Sequence, residues 1–299
     1  MISTDFPEDI FSPAKQKQSI YRYKVDTGRN ICKDKRILFC GICRNVGHIL
    51  ETNILRLFRT GDMFKDYHIF IYENDSDDNT VEILNKYKSD QLNFISTARQ
   101  DKDYAAGLTN GKDPWHENRC KVLSDCRNNY LQYAKQFSHF DYLCVLDLDL
   151  LGGWSYDGIG HGIFTLNQSD NPCVSSYGIL TECTNRASLE EISPEDYMMY
   201  DSFAFRPLNG INYDYDAFVL QNFNFIKFQR ADDPVEVDSN FGGLAIYKMS
   251  DIGDKQYSST CFKEGCVNPD HVEFHRQFDK KIILDPSMIV SYSHHRYSK

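Results

Sequence analysis

The sequence predicts an α/β fold built on a mostly parallel sheet flanked by helices. Three observations predict it. Through the first 150 residues short apolar strands alternate with segments of helical period, the rhythm of right-handed crossovers between parallel strands. Three of those strands run straight into polar clusters, at Arg44-Asn45, Glu73 to Asp78, and Asp147 to Asp149. After residue 150 the rhythm changes to long aromatic and acidic loops between isolated strands.

Residues 1–34 are polar, hold two prolines and show no clear period, so they are expected to form an extension on the surface. "RILFCGI" (36–42) is a compact apolar strand, and Leu50, Ile54, Leu57 and Phe58 then recur at helical spacing. "YHIFIYE" (67–73) is the second strand. It enters the turn-rich "NDSDDNT", where Asp78 or Thr80 can cap the helix "VEILNKY". "LNFIST" (92–97) is the third. A loop follows, then a helix over about 117–136, with Leu123, Cys126, Tyr130, Ala134 and Phe137 on one stripe. "YLCVLDLD" is the fourth strand. "CVSSYGIL" (173–180), "NFGGLAIYK" (240–248) and the apolar run "KIILDPSMIVSYS" supply later strands. With no low-complexity linker and no internal repeat, residues 35–299 read as one domain.

Bulk properties narrow the function. A net charge of −10 argues against a broad nucleic-acid-binding surface. The N-terminus lacks the apolar core of a signal peptide, and no window is long enough to span a membrane, so a cytoplasmic or otherwise soluble protein is expected. Ten cysteines invite a metal reading, but the pair Cys40 and Cys43 lies three apart on a strand and so faces opposite sides. Cys261 and Cys266 flank a loop and could pair only under oxidising conditions. The sequons at Asn74 and Asn167 carry little weight without a secretory signal.

The chemistry starts with "FDYLCVLDLDLLGGWSYDGIG" (140–160). Two carboxylates at the end of a buried strand repel each other and lose hydration, so a cation belongs beside them. Asp147 and Asp149, two apart, face the same side and can share one ligand shell. Mg²⁺ or Mn²⁺ bridging them to a diphosphate would neutralise a leaving nucleotide. Ligands of parallel sheets bind beyond the carboxyl ends of the strands, so the three polar clusters should converge in space. Trp154 and Tyr156, in "GGWSYDGIG", and "YDSFAFRP" (200–207) are expected to form acceptor walls.

"FIYENDSDDNTVEIL" resembles the "VDDGSTDNTLEIL" stretch of glycosyltransferases with the GT-A (Rossmann-like) fold, and "CRNNYLQYAKQFSHFDYLCVLDLDL" resembles their Arg-Asn helix and D-x-D strand. "GICRN", "ENDSDDNT" and "DSFAFRP" are similar to the fungal capsule-associated mannosyltransferases and their viral and bacterial relatives. The resemblance implies a nucleotide-sugar half (35–150) and an acceptor half (151–299). It also implies a nucleotide diphosphate sugar donor with Mn²⁺ or Mg²⁺, and a glycan or glycoprotein acceptor. Glu73 and Asn74 stand where the family contacts base and ribose, although Glu-Asn replaces the commoner Asp-Asp. Asp77 and Asp78 are read as helix caps. Arg127, with Arg119 two turns earlier and Arg44 at the first strand's end, is placed to meet the donor phosphates, where a guanidinium offers fixed paired donors. "GCVNPDHVEFHRQF" stands at the family's acceptor-base segment, leaving Asp270, His271 and Glu273 as candidate bases. His294 and His295 stand where many such enzymes place a further metal ligand. Two other classes compete: a nucleotidyltransferase, disfavoured by the glycine-poor "GICRNVGHI", and a non-catalytic glycan-binding protein, disfavoured by the intact clusters.

Overall fold

The computed structural model describes residues 3–99, 117–181, 197–208, 226–263 and 266–293. Four strands, β1 (Arg36–Cys43), β2 (Asp66–Asn74), β3 (Leu92–Thr97) and β4 (Tyr142–Leu146), run parallel in the order β3-β2-β1-β4. Helices α2 (Leu50–Gly61), α3 (Thr80–Tyr87) and α4 (Glu117–Ala134) lie between them in sequence. Alternation along β1 sends Leu38 and Cys40 into one core layer and Ile37, Phe39 and Cys43 into the other. Cys40 and Cys43 therefore cannot share an ion, and burial pushes both thiols up.

Past β4 the sheet is mixed. β9 (Leu244–Lys248) pairs antiparallel with β4 and with β6 (Cys173–Thr181), and β12 (Ile282–Ser291) runs parallel to β6. The short strands β5 (Gly153–Trp154), β7 (Tyr197–Met199) and β8 (Val235–Val237) pair antiparallel at the margins, and β10 (Thr260–Lys263) with β11 (Cys266–Asn268) form a separate hairpin. The expected α/β class, with a mostly parallel sheet flanked by helices, is what the chain adopts. The strand expected over 240–248 begins only at Leu244. Gly242 (φ 61°) and Gly243 (φ 91°) turn the chain just before it, and a side chain at Gly242 would strike the Ser176 carbonyl.

The N-terminal segment corrects the sequence reading. Instead of an aperiodic surface extension, it contains helix α1 (Gln18–Cys32), which buries Tyr21, Val25, Gly28 and Cys32. α1 lies against α5 (Tyr156–Asn167), with a Cβ at Gly28 only 1.8 Å from the Gly160 carbonyl, so these helices meet backbone to backbone. Ahead of α1, Phe6 and Phe11 stack in the core. Glu8 accepts from the Ser155 hydroxyl, from the Asp157 amide at 3.1 Å and from Arg230 at 2.6 Å. Asp157 in turn accepts from Arg22 at 3.1 Å and Arg29 at 2.6 Å.

Trp154 and Tyr156 also differ from expectation. Trp154 is buried and donates to Thr60 at 3.0 Å. Tyr156 is buried, donates to the Thr4 carbonyl at 2.7 Å and lies under Arg59. Both are core residues and neither lines the cleft described below. None of the helices described is long and apolar enough to cross a membrane.

Candidate functional site

The carboxyl ends of the parallel strands open onto a cleft of about 640 Å³. β1 delivers Arg44 to it, β2 delivers Asn74, and the chain leaving β4 delivers Asp147 and Asp149. α4 contributes Arg119 and Arg127. The turn after β7 brings Asp201, and the start of α7 (Asp270–His275) brings Asp270 and His271. Residues 227 apart in sequence, Arg44 and His271, thus meet at one sheet edge, by the geometry that places ligands at such edges.

The first two strand ends are clasped to each other. Asn45 (φ 53°) and Asp75 (φ 54°) both turn through the left-handed region, which Asn and Asp tolerate best among residues with a Cβ. The Asn45 amide donates to the Ser76 hydroxyl at 3.0 Å, and the Asp77 amide donates back to the Asn45 side chain at 2.9 Å. Asp78 accepts from the amides of Thr80 and Gly47, each at 2.9 Å, which makes it the cap at the start of α3. Its burial is outweighed by those hydrogen bonds and by His48, and its carboxyl lies low.

Glu73 does not reach the cleft. Its carboxylate accepts from the Ser76 amide at 2.8 Å and from the Ser96 hydroxyl. Asn74 beside it lines the cleft, so of the expected nucleoside pair only the second is placed for contact.

α2 holds the aspartate loop from behind. The Asn53 amide donates to the carbonyls of Leu148 at 2.9 Å and Leu150 at 3.2 Å. Arg56, 3% exposed, donates to Asn53, to Leu150 and Leu151, and to the Ser3 carbonyl at 2.7 Å. Burial lowers its pKa to about 10. Sequence reading passed over both residues; the only signal is that two polar groups sit at helix positions shared with Ile54 and Leu57.

Electrostatics in the cleft centre on Arg127. This buried guanidinium donates to Asp270 at 2.5 Å, approaches Asp147 at 3.6 Å, and lies over the rings of Phe241 and Tyr257. Burial and then the Asp149 charge push the Asp147 carboxyl up to about 7, against the pull of Arg127 and of the Tyr200 hydroxyl, which donates at 3.2 Å. Burial raises Asp149 too, against its own amide, Arg119, His48 and Tyr292. Burial, then Asp147 and Asp270, hold Asp201 well above the carboxylate range. Burial is the first cause for all three carboxyls, and a cation bound among them would offset it. Hard oxygen donors of this kind suit Mg²⁺ or Mn²⁺, so the residues fit the expected ion. Among the described residues no three His, Cys, Asp or Glu side chains converge as a ready ligand set. Any completing ligands would come from phosphate, solvent or segments outside the description, where His294 and His295 lie.

The three candidate bases have separate surroundings. Asp270 is engaged by Arg127. Glu273 accepts from Arg276 at 2.7 Å and does not line the cleft. His271 is 3% exposed and stacks on Phe241 at 3.8 Å; burial, then Arg127 and His275, hold its pKa well below the usual histidine value. The side chains of Cys261 and Cys266 also lie outside the description.

No family model matches the chain, and no curated protein matches it. Solved structures do. The mannosyltransferase PcManGT from Pyrobaculum calidifontis, in complex with GDP-Man and Mn²⁺, is 11% identical over 95% of this chain and 68% of its own, with a TM-score of 0.47. TarS from S. aureus, residues 1–349 in complex with UDP-GlcNAc, is 9% identical over 88% of this chain and 60% of its own, with a TM-score of 0.44. This chain therefore spans less than two thirds of TarS. At such identities and scores these likenesses assign the chain no activity, donor or acceptor, and they do not bear on the narrower resemblance to capsule-associated mannosyltransferases.

Proposed function

We propose that this chain is a metal-dependent glycosyltransferase that moves a hexose from a nucleotide diphosphate sugar to a hydroxyl of a glycan or glycoprotein acceptor. One observation carries the reading. Four aspartates and three arginines from separate parts of the sequence line one cleft at the carboxyl edge of the sheet. Arginines there meet a diphosphate through charge-assisted bonds. Asp147 and Asp149 would hold Mn²⁺ or Mg²⁺, which when bound supplies charge neutralisation at the departing diphosphate.

The chain's own residues divide the remaining work. Arg44 and Arg119 line the cleft and are placed for the phosphates. Arg127 keeps Asp270 and Asp147 oriented and lends positive charge at the base of the cleft. Asn74 faces the nucleoside end. If the reaction inverts, the acceptor proton goes to Asp270 or His271, since Glu273 is turned to Arg276. The resemblance leans to retaining enzymes, which need no such base.

Thermal-shift measurement with UDP-, GDP- and CMP-sugars, with and without Mn²⁺, tests this, because a ligand that binds the folded state raises its stability. The expected result is stabilisation by one donor series that depends on Mn²⁺, with slow hydrolysis of that nucleotide sugar. A protein stabilised by free glycans and by no nucleotide would be a binding module instead.

A further inference from the structure

The groups placed on the diphosphate and the metal do not exhaust the cleft. Asp201 opens the "DSFAFRP" stretch expected to form an acceptor wall, but it is not among the residues assigned above to the metal, the phosphates or the acceptor proton. It sits in a left-handed turn (φ 57°) after β7, lines the cleft, and takes a hydrogen bond from the Gly242 amide. Its Oδ2 is buried and has no hydrogen-bond partner among the described residues. His271 lines the same cleft, and neither Nδ1 nor Nε2 has a partner among them. The Phe241-Gly242 pair joins the two, with the Phe241 ring stacked on His271 and the Gly242 amide on Asp201. A third unpartnered atom, Nη1 of Arg127, belongs to the guanidinium over the same Phe241 ring.

Buried polar atoms are normally partnered, so each orphan calls for a cause. This fold partners its other buried histidines. His275, one helical turn past His271, bonds Ser239 at 2.8 Å and Tyr247 at 2.7 Å, and His161 bonds Asp285 at 2.7 Å. Orphans gathered on a cleft wall, one of them on a residue with left-handed backbone, are the pattern of a site shaped for something it binds.

We propose that Asp201 and His271 are the sugar-reading pair of this cleft, taking hydroxyls of a neutral, hydroxyl-rich sugar ring; this rests on the glycosyltransferase reading above. A hydroxyl both donates and accepts. An Asp oxygen accepts from it, and a neutral imidazole does both through its two nitrogens. The surroundings select charge: with Asp147 and Asp270 beside Asp201, a sugar carboxylate would meet like charge. Unsubstituted hexoses are therefore favoured over uronic and sialic acids.

Calorimetric titration with Mn²⁺ tests the pair, using UDP, GDP, UDP-glucose, GDP-mannose and UDP-glucuronate on wild type, Asp201→Ala, Asp201→Asn and His271→Phe. Thermal melts check that each variant is folded, and Asp201→Asn, of nearly the same shape, covers the case in which the alanine variant is not. In wild type, a neutral sugar nucleotide should bind at least 10-fold more tightly than UDP-glucuronate. The Asp201 and His271 variants should lose 10-fold or more for that sugar nucleotide while binding its free diphosphate like wild type. If the folded variants bind sugar nucleotide and free diphosphate in the wild-type ratio, or wild type prefers the glucuronate, the pair is not a sugar reader, although the glycosyltransferase reading stands. If wild type binds no nucleotide at all, both are overturned.

Discussion

Two clusters of charge among the described residues differ in how they are completed. Around Ser155, where α5 begins, every carboxylate oxygen of Glu8 and Asp157 meets a donor: Ser155, the Asp157 amide and Arg230 for the first, Arg22 and Arg29 for the second. In the cleft Asp201 Oδ2, both nitrogens of His271 and Arg127 Nη1 are left over, and three carboxyls are held above their ordinary range. The first cluster also leaves over Nε of Arg29 and of Arg230, but its carboxylates are all met and tie the fold together. The second leaves carboxyl and imidazole atoms over on a cleft wall, where a ligand can reach them. Mutation should therefore separate the two, with stability lost in the first and binding in the second.

Asp149→Ala should show the largest effect. Transfer and Mn²⁺-dependent nucleotide binding should vanish while the melting temperature holds; full activity in the variant, or in chelator-treated wild type, would remove the metal from the mechanism. Next comes Arg127→Ala. Charge-assisted hydrogen bonds contribute roughly 1.5–3 kcal/mol, so diphosphate affinity should fall about 10- to 100-fold relative to the free nucleoside. Equal losses for both ligands, read by calorimetry, would place this arginine away from the phosphates. Arg230→Ala is the counterpart in the closed cluster. Urea unfolding should show about 2 kcal/mol less stability with nucleotide affinity intact, and a loss of affinity there would erase the distinction between the clusters.

A pH titration sharpens it further. Asp147 ionises in the folded protein only near pH 7, well above the value of about 3.9 expected when unfolded. Between those values the folded state holds the extra proton, so this group lowers stability as pH rises from about 4 to 7. Mn²⁺ must displace that proton, so its affinity should climb by up to about tenfold per pH unit below 7 and flatten above. In Asp147→Asn the slope should shrink to what Asp149 still contributes, and a wild-type affinity that ignores pH would contradict the assignment. The smallest effect is expected from removing residues 294–299. Transfer should suffer more than stability, and the Mn²⁺ needed for half-maximal rate should rise. An unchanged Mn²⁺ dependence would leave His294 and His295 without a part in the metal shell.

The parallel half was legible in the sequence because its strands are buried on both faces and read as unbroken apolar runs such as "YLCVL". Their polar termini then had one place to meet. Other elements hid for physical reasons. α1 keeps its inward positions at 21, 25, 28 and 32, a helical spacing, but one of them is glycine and the rest are diluted by charge, so no apolar stripe stands out. α5, "YDGIGHGIFTLN", looked like a loop because glycine discourages helix. Here the glycines are what let α1 and β12 approach: a Cβ at Gly162 would sit 2.1 Å from the Met288 sulfur. "YDSFAFRP" was legible as a cleft wall, but nothing in it singles out Asp201, whose setting comes from what Gly242 and Phe241, forty residues on, bring beside it. Glu73 misled in the opposite way: it occupies a motif position, yet Ser96 on the neighbouring strand takes its carboxylate.

The Glu8 clasp also sets an order of events during synthesis. Its partner Arg230 lies 222 residues further along the chain, so at ordinary ribosomal speeds Glu8 waits roughly 10–45 s for it to be made. For most of that interval Tyr197, which Phe11 packs against, is also still to be made. A nascent chain stopped before residue 197 would therefore lack the ring that covers Phe11, leaving an aromatic handle for chaperones and, without them, a seed for aggregation.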